Sequence, residues 1–197
     1  VNNSYSIANV VANASGGGLV GVSENSNIYN SYFTGNVTRT SGSSDENMGG
    51  FTGYNTNSGI YSCYSTGDVS YTDATNPTDK GFIGGGTGTM SNNFFNSETS
   101  NQSSSTGATV ISSAQMQTLT TFTNASWDFL GETTNGTNNY WGINPSENSG
   151  FPFLEWQGYD HIADVSTQAV SSITPNTATG NGTIVNYGDP SITQHGV

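Results

Sequence analysis

Cations are what this sequence has least of. Its 197 residues hold two basic side chains, Arg39 and Lys80, against 14 acidic ones, a formal charge of −12. A nucleic-acid surface needs a stripe of Lys and Arg to neutralise phosphates, so that class is excluded, and docking on anionic lipid is argued against on the same ground. Yet only 8% of residues are charged at all, so this is no acidic tail: the surface is Ser, Thr, Asn and Gly. One cysteine, Cys63, rules out an intrachain disulfide framework. No apolar run is long enough to span a bilayer. No signal peptide is visible and there is no initiator Met, which reads as a processed or excised piece. Hydrophobic residues make up 31%, close to compositions that stay disordered, but 3 Trp, 10 Tyr and 9 Phe recur in phase. Disordered chains are depleted in aromatics.

What the chain does have is repetition. Gly17–Val37 reads GGLVGVSENSNIYNSYFTGNV, and 32 residues later Gly49–Val69 reads GGFTGYNTNSGIYSCYSTGDV. A worn third copy opens at Lys80–Phe94, KGFIGGGTGTMSNNF, and a half copy stands at Asn3–Val10, NSYSIANV. Gly18, Gly50 and Gly81 open the units, Ile28, Ile60 and Met90 follow, and Tyr32, Tyr64 and Phe94 come four residues later, with Tyr5 in the same column. Such a period decides architecture before any local reading does. Each unit reads as three short strands separated by Gly and Asn/Ser/Asp turns: one at GLVG or GFTG, one around Ile28–Phe33 or Ile60–Ser65, one ending at Val37 or Val69.

The expected class is all-β: a right-handed parallel β-helix, or solenoid, in which each strand pairs with its counterpart one unit on. Tyr5, Tyr32, Tyr64 and Phe94 would form an aromatic ladder at about 4.8 Å per step. With Leu19/Phe51/Phe82 and Ile28/Ile60/Met90 they make the expected core. Cys63 stands where the previous repeat has Ser31 and reads as a small side chain in a strand. Expected domains are the repeat region over 1–110, a capping segment over 111–160, and a linker with a partial β module over 161–197. Two ten-residue insertions, Thr38–Asn47 and Ser70–Asp79, occupy the same point of the repeat and should project side by side from one face. Asp45, Glu46, Asp68, Asp73 and Asp79 gather there. A weak Ca²⁺ site is the alternative to solvated loops, but no D-x-[DN]-x-[DN]-G loop is present, and no metal or cofactor is assigned.

GGLVG…NIYNSYFTGNV and GGFTG…GIYSCYSTGDV resemble the GLUG motif, a repeat of large secreted or surface proteins of bacteria and archaea. SNNFFNSETS, Ser113–Phe122 (SAQMQTLTTF), Ala125–Phe129 (ASWDF), Tyr140–Asn144 (YWGIN) and Phe151–Gln157 (FPFLEWQ) resemble the segment that closes such arrays. The likeness covers residues 3–157 and departs at the third unit, where GFIGGGTGTM lacks the Gly-Leu-Val-Gly-x-Asn order, so an irregular last coil is expected. The resemblance implies an extracellular β-helical stalk or adhesive array and carries no catalytic residues.

Ser112–Phe122 is the one helix candidate. Ser112 and Gln115 make a capping box, and Met116, Leu119 and Phe122 share a face. A short amphipathic helix there should plug the open end of the core. Trp127, Phe129, Tyr140, Trp141, Phe151, Phe153 and Trp156 then crowd together, as a small satellite core or as a sugar-stacking platform, the first being the commoner arrangement. Val165–Ile173, Thr177–Ile184 and Ile192–Val197, broken by Pro175, Gly188 and Pro190, read as antiparallel strands. They resemble the opening of an immunoglobulin or fibronectin type III-like module, too short here to finish a sandwich. Either they belong to a longer polypeptide or they donate strands to a neighbouring subunit.

No catalytic constellation can be assembled. Polysaccharide lyase chemistry wants a cation or Ca²⁺ beside a strong base, and Arg39 and Lys80 lie in or beside loops. Asp128, Glu132, Glu147, Glu155 and Asp160 could serve glycoside hydrolysis, but no repeat geometry pairs them. His161 and His195 stand alone. No G-x-S-x-G elbow exists, and the glycine runs Gly16–Gly18 and Gly84–Gly86 lack a following Lys or helix. Thr34 and Thr66 repeat only once, short of an ice-binding ladder. Sequons at Asn2, Asn13, Asn36, Asn101, Asn124, Asn135 and Asn181 are N-glycosylation sites if the source glycosylates. The expectation is a non-enzymatic extracellular or cell-surface structural or adhesive protein, a rigid stalk or filament subunit that self-associates or meets neighbouring surface proteins. The alternative is a carbohydrate-binding or carbohydrate-cleaving β-helix.

Overall fold

Asparagine sets the corners. Asn3, Asn30, Ser62 and Asn92 all adopt left-handed backbone, with φ of 47°, 44°, 53° and 57°. Asn enters that region more cheaply than most residues, because its short side chain bonds locally. Each of these residues stands two places before an aromatic, so the strand expected over Ile28–Phe33 is two strands with a corner between them.

The computed structural model describes residues 1–41, 47–159 and 164–186. The first half-repeat gives β1 (Tyr5–Ser6) and β2 (Val10–Ala12). The first full repeat gives β3 (Gly16–Gly17), β4 (Val20–Glu24), β5 (Asn27–Tyr29), β6 (Tyr32–Phe33) and β7 (Val37–Arg39). The second gives β8 (Met48–Gly49), β9 (Thr52–Tyr61), β10 (Tyr64–Ser65) and β11 (Val69–Tyr71). The third gives β12 (Ile83–Ser91) and β13 (Phe94–Asn96), then helix α1 (Ser97–Ser100) and β14 (Thr109–Ile111). The class is all-β. The strands sort by repeat into parallel sheets, β1-β6-β10-β13-β14, β2-β7-β11, β3-β8, and β4 with β5 on β9 followed by β12. In register, Tyr5 pairs Tyr32, Tyr32 pairs Tyr64, and Tyr64 pairs Phe94. Val10, Val37 and Val69 align likewise, as do Ile28, Ile60 and Met90. β9 runs unbroken through the Asn-rich stretch that separates two expected strands. The worn third copy still pairs with it, through a register shift between Gly86 and Gly88.

Of the three expected core columns, Leu19/Phe51/Phe82 and Ile28/Ile60/Met90 are in the core or packed against it, and the column of Tyr5, Tyr32, Tyr64 and Phe94 is not part of it. Phe51 stacks on Phe82 at 4.8 Å between ring centres, and Ile28, Ile60, Val37, Val69, Phe33, Phe95 and Cys63 are buried with them. Tyr5, Tyr32 and Tyr64 do form a ladder, with centroids 5.2 and 4.9 Å apart. However, successive strand residues point to opposite faces. Phe33 is part of the core, so its neighbour Tyr32 and the column through it lie on the outer face of that sheet. The unit-opening glycines answer to the inward Phe column: a Cβ on Gly18 would stand 2.1 Å from the Phe33 ring, and one on Gly81 2.2 Å from Phe95.

A cover lies over the outer ladder. The expected single helix is two short ones, α2 (Ser113–Met116) and α3 (Leu119–Thr123), interrupted at Thr118, whose backbone is extended. The Ser112/Gln115 capping box is present. Met116 and Phe122 are buried, but Leu119 is 39% exposed, so the three do not share one buried face. Phe122 meets Phe94 edge-on at 5.3 Å, and Trp127 lies 5.8 Å from Phe94 and 6.4 Å from Tyr64. The Trp127 indole N–H donates to Asn92 O at 2.8 Å. This segment therefore roofs the outer aromatic column and does not plug the core.

The described residues form two compact units that divide between Trp127 and Asp128. In the second unit, β15 (Trp141–Gly142) and β16 (Phe153–Leu154) pair antiparallel, with Phe129, Trp141, Phe153 and Leu154 buried. β17 (Asp164–Ser171) and β18 (Thr179–Asn186) form an antiparallel hairpin where two such strands are expected. The third expected strand, Ile192–Val197, lies outside the described residues.

Candidate functional site

The two ends of the parallel stack differ in chemistry. After β13 the chain does not make another strand in the β2-β7-β11 sheet. Residues 97–108 cross the end instead and meet it with side chains. Gln102, 2% exposed, donates from Nε2 to Val69 O at 3.1 Å and to Pro77 O at 3.0 Å, while its Oε1 accepts from Lys80 N–H at 2.9 Å. Ser105 Oγ accepts from Phe82 and Ile83 N–H at 2.9 and 3.0 Å. Thr99 Oγ1 donates to Thr66 O. Gly107 lies against the Met90 side chain, and Ala108 packs on the core. This end is closed.

At the other end β1, β2, β3 and β4 each have one strand neighbour. Exposed apolar side chains gather there: Ile7 and Val11 at 66%, Val22 at 55% and Tyr5 at 36%, whereas Tyr32 and Tyr64 are buried. An asparagine ladder runs along this unit. Asp68 N–H donates to Asn36 Oδ1 at 3.0 Å, and Asn36 N–H donates to Asn9 Oδ1 at 2.9 Å. Asn101 Nδ2 donates to the Asp68 carboxylate at 2.9 Å. Its signal was in the sequence, one residue before each of Val10, Val37 and Val69. Gln102 and Ser105 had no such signal.

The charged residues are engaged locally. Arg39 is the last residue of β7, beside the loop that follows, and is 6% exposed. Its Nε donates to Asp73 Oδ1 at 3.0 Å and its guanidinium lies 3.8 Å over the Tyr71 ring. Burial pushes the Tyr71 phenol above its ordinary range, an effect that Arg39 partly offsets. Lys80 Nζ donates to Gly84 O at 2.8 Å and lies 3.5 Å from the Asp79 carboxylate. Asp45, Glu46, Asp160, His161 and His195 lie outside the described residues. Among the described residues no three His, Cys, Asp or Glu side chains gather as a metal set, and no helix is long and apolar enough to cross a membrane.

The candidate carboxylates of the second unit serve its loop. Asp128 is buried and accepts from Asn138 and Asn139 N–H at 2.9 and 3.1 Å. Glu132 accepts from Thr134 N–H at 2.9 Å and from Asn135 N–H. Among the clustered aromatics, Trp156 is the exposed one, at 61%. Cys63 is wholly buried, its thiol donating to Tyr61 O at 3.2 Å, and burial pushes it up to about 12. Of the sequons, Asn2, Asn13 and Asn124 are exposed. Asn36 is exposed too, but its Oδ1 belongs to the ladder. Asn135 is half-buried. The amide nitrogens of Asn101 and Asn181 are already donors, the latter to Ala169 O at 2.7 Å and Ser171 Oγ at 3.0 Å.

Parallel strands in register, one set per repeat, define a repeat protein of the all-β class. Two adjacent repeats, residues 12–38 and 44–70, match the GLUG motif, so the chain carries a pair of GLUG repeats. No curated protein and no solved structure matches the chain.

Proposed function

We propose that the repeats are coils of a right-handed parallel β-helix, and that the protein works outside the cell as a stiff, non-enzymatic segment, a surface stalk or filament subunit. The register of the Tyr, Val and Ile columns across successive repeats carries this reading. A stack of coils with side-chain ladders resists bending and hides its backbone from proteases. The engagement of both cations supports a non-catalytic role, because a uronate would find neither of them uncommitted. Self-association through open strand edges, and glycans on Asn2, Asn13 or Asn124, belong to the same reading. Negative-stain electron microscopy of the native material, beside its intact mass, tests it. Straight fibres or surface rods containing this chain are expected; dispersed particles that release reducing ends from polysaccharide would overturn it. The exposed Trp156 favours one alternative, a carbohydrate-binding protein, which a glycan array without hits removes.

A further inference from the structure

We propose that Tyr54 and Tyr61, on the outward side of β9, hold a neutral glycan by stacking on its sugar rings where they overhang β12. The proposal adds a ligand to the stiff segment inferred above and stands whether or not that segment forms fibres.

Ile60 lies in the core, so alternation turns its neighbours Gly59 and Tyr61 outward. Register brings Tyr29 beside Tyr61, and the rings stack with 5.1 Å between centres and 17° between planes. Gly59 seats the Tyr61 ring: a Cβ there would stand 2.3 Å from its Cε2 and 2.6 Å from its hydroxyl. The next place in the column holds no ring. It is Ser91, and beside it Thr89 is the register partner of Gly59; both are exposed. Tyr61 is therefore backed by one tyrosine and floored by a glycine, with its second face toward two hydroxyls. Tyr54 repeats the arrangement. It pairs with Val22 on one side and with Gly85, which has no side chain, on the other. It is 38% exposed and makes no hydrogen bond or ring contact with the described residues.

A pyranose complements such a site. Its C–H face packs on an aromatic ring, and its rim of hydroxyls exchanges hydrogen bonds with Thr89 and Ser91. Charge selects neutral sugars. Neither β9 nor β12 carries a charged side chain. Both cations are engaged elsewhere, and a protein of charge −12 repels uronates. Tyr54 and Tyr61 belong to one strand, separated by at most about 23 Å at about 3.3 Å per residue, so an extended oligosaccharide can touch both.

The test is an NMR titration of the full chain, its tyrosine and tryptophan rings labelled, with cellohexaose and chitohexaose as neutral probes and hexagalacturonate as the acidic one. Saturable shifts at the Tyr54 and Tyr61 rings are expected with a neutral probe. Affinity should fall about five- to ten-fold in Tyr61→Ala and in Tyr54→Ala. It should fall about three-fold in Thr89→Val, which keeps the shape and removes a hydroxyl. If Tyr61→Ala fails to fold, the shifts of the unaltered protein and the exposed Thr89→Val change carry the test. No binding of either neutral probe, or equal binding of hexagalacturonate, would overturn the proposal. So would shifts confined to Trp156, which would move the glycan to the second unit. Shifts at Tyr54 and Tyr61 that follow protein concentration without sugar would also overturn it, because a second copy would then take this face. Electron microscopy fails separately: binding without rods refutes the stalk alone, and rods without binding refute the glycan site alone.

Discussion

Cys63 links the stability of the repeats to pH. Its thiol sits in the core with no exposed surface, and burial raises it from an ordinary 9.0 to about 12. A group that holds its proton more tightly when folded stabilises the fold fully below its unfolded value. That contribution fades as pH rises through the window between the two. One pH unit of displacement corresponds to about 1.4 kcal/mol, so the whole window is worth about 4 kcal/mol. By pH 10 the loss should be about 1.4 kcal/mol, an order-of-magnitude figure. Cys63→Ser removes the titration and keeps the hydrogen bond, because Ser31 makes the same bond one repeat earlier, Oγ to Tyr29 O at 2.7 Å. Urea unfolding of both proteins at pH 8 and pH 10 reads the difference, since tyrosine and lysine titrations are common to both. The wild type should lose about 1.4 kcal/mol more than the variant over that interval. Parallel losses would refute the reasoning and mean that the thiol meets solvent in the folded protein.

Two further predictions concern the closed end and the buried cation. Gln102→Met keeps the bulk but strips partners from Val69 O, Pro77 O and Lys80 N–H, so it should cost about 2–4 kcal/mol in urea unfolding. An unchanged midpoint would show that water replaces the amide there. Arg39→Met removes the charge that partly offsets the burial of Tyr71, so that phenol should deprotonate at still higher pH, read by NMR titration of the tyrosine rings. A downward movement would contradict the stacked geometry.

The columns were legible because a period of about thirty residues puts like residues in register whatever the local conformation. Which face each column occupies was not. Tyr32-Phe33 and Phe94-Phe95 are pairs of adjacent aromatics, so alternation alone cannot say which of the two points inward. The outer column is continuous, Tyr5, Tyr32, Tyr64 and Phe94, and it looked like a core. The inner one reads Ser6, Phe33, Ser65, Phe95, alternating hydroxyl and ring, so it shows no continuous apolar column. Glycine resolves the inner series. Gly18 and Gly81 leave room for the Phe33 and Phe95 rings, and Gly50 lies near the smaller Ser65. In the outer series, Tyr64 and Phe94 are covered by Trp127 and Phe122, which come back over them. A roof of that kind is a long-range contact, and the capping box that announced its helix says nothing about where the helix lands.

The closed end was hidden for a related reason. Ser97–Ala108, SETSNQSSSTGA, has no apolar periodicity and reads as a loop. A strand ladder presents peptide N–H and C=O groups, and these can be satisfied by amide and hydroxyl side chains as well as by another strand. Gln102 and Ser105 do so from a segment that never becomes a strand. The alternatives for blunting a strand edge are charges, above all Lys, and proline. This chain has two cations, both engaged elsewhere. A sequence built of Ser, Thr, Asn and Gln can therefore end its own ladder without charge, and the composition that argued against binding nucleic acid also supplies the terminator.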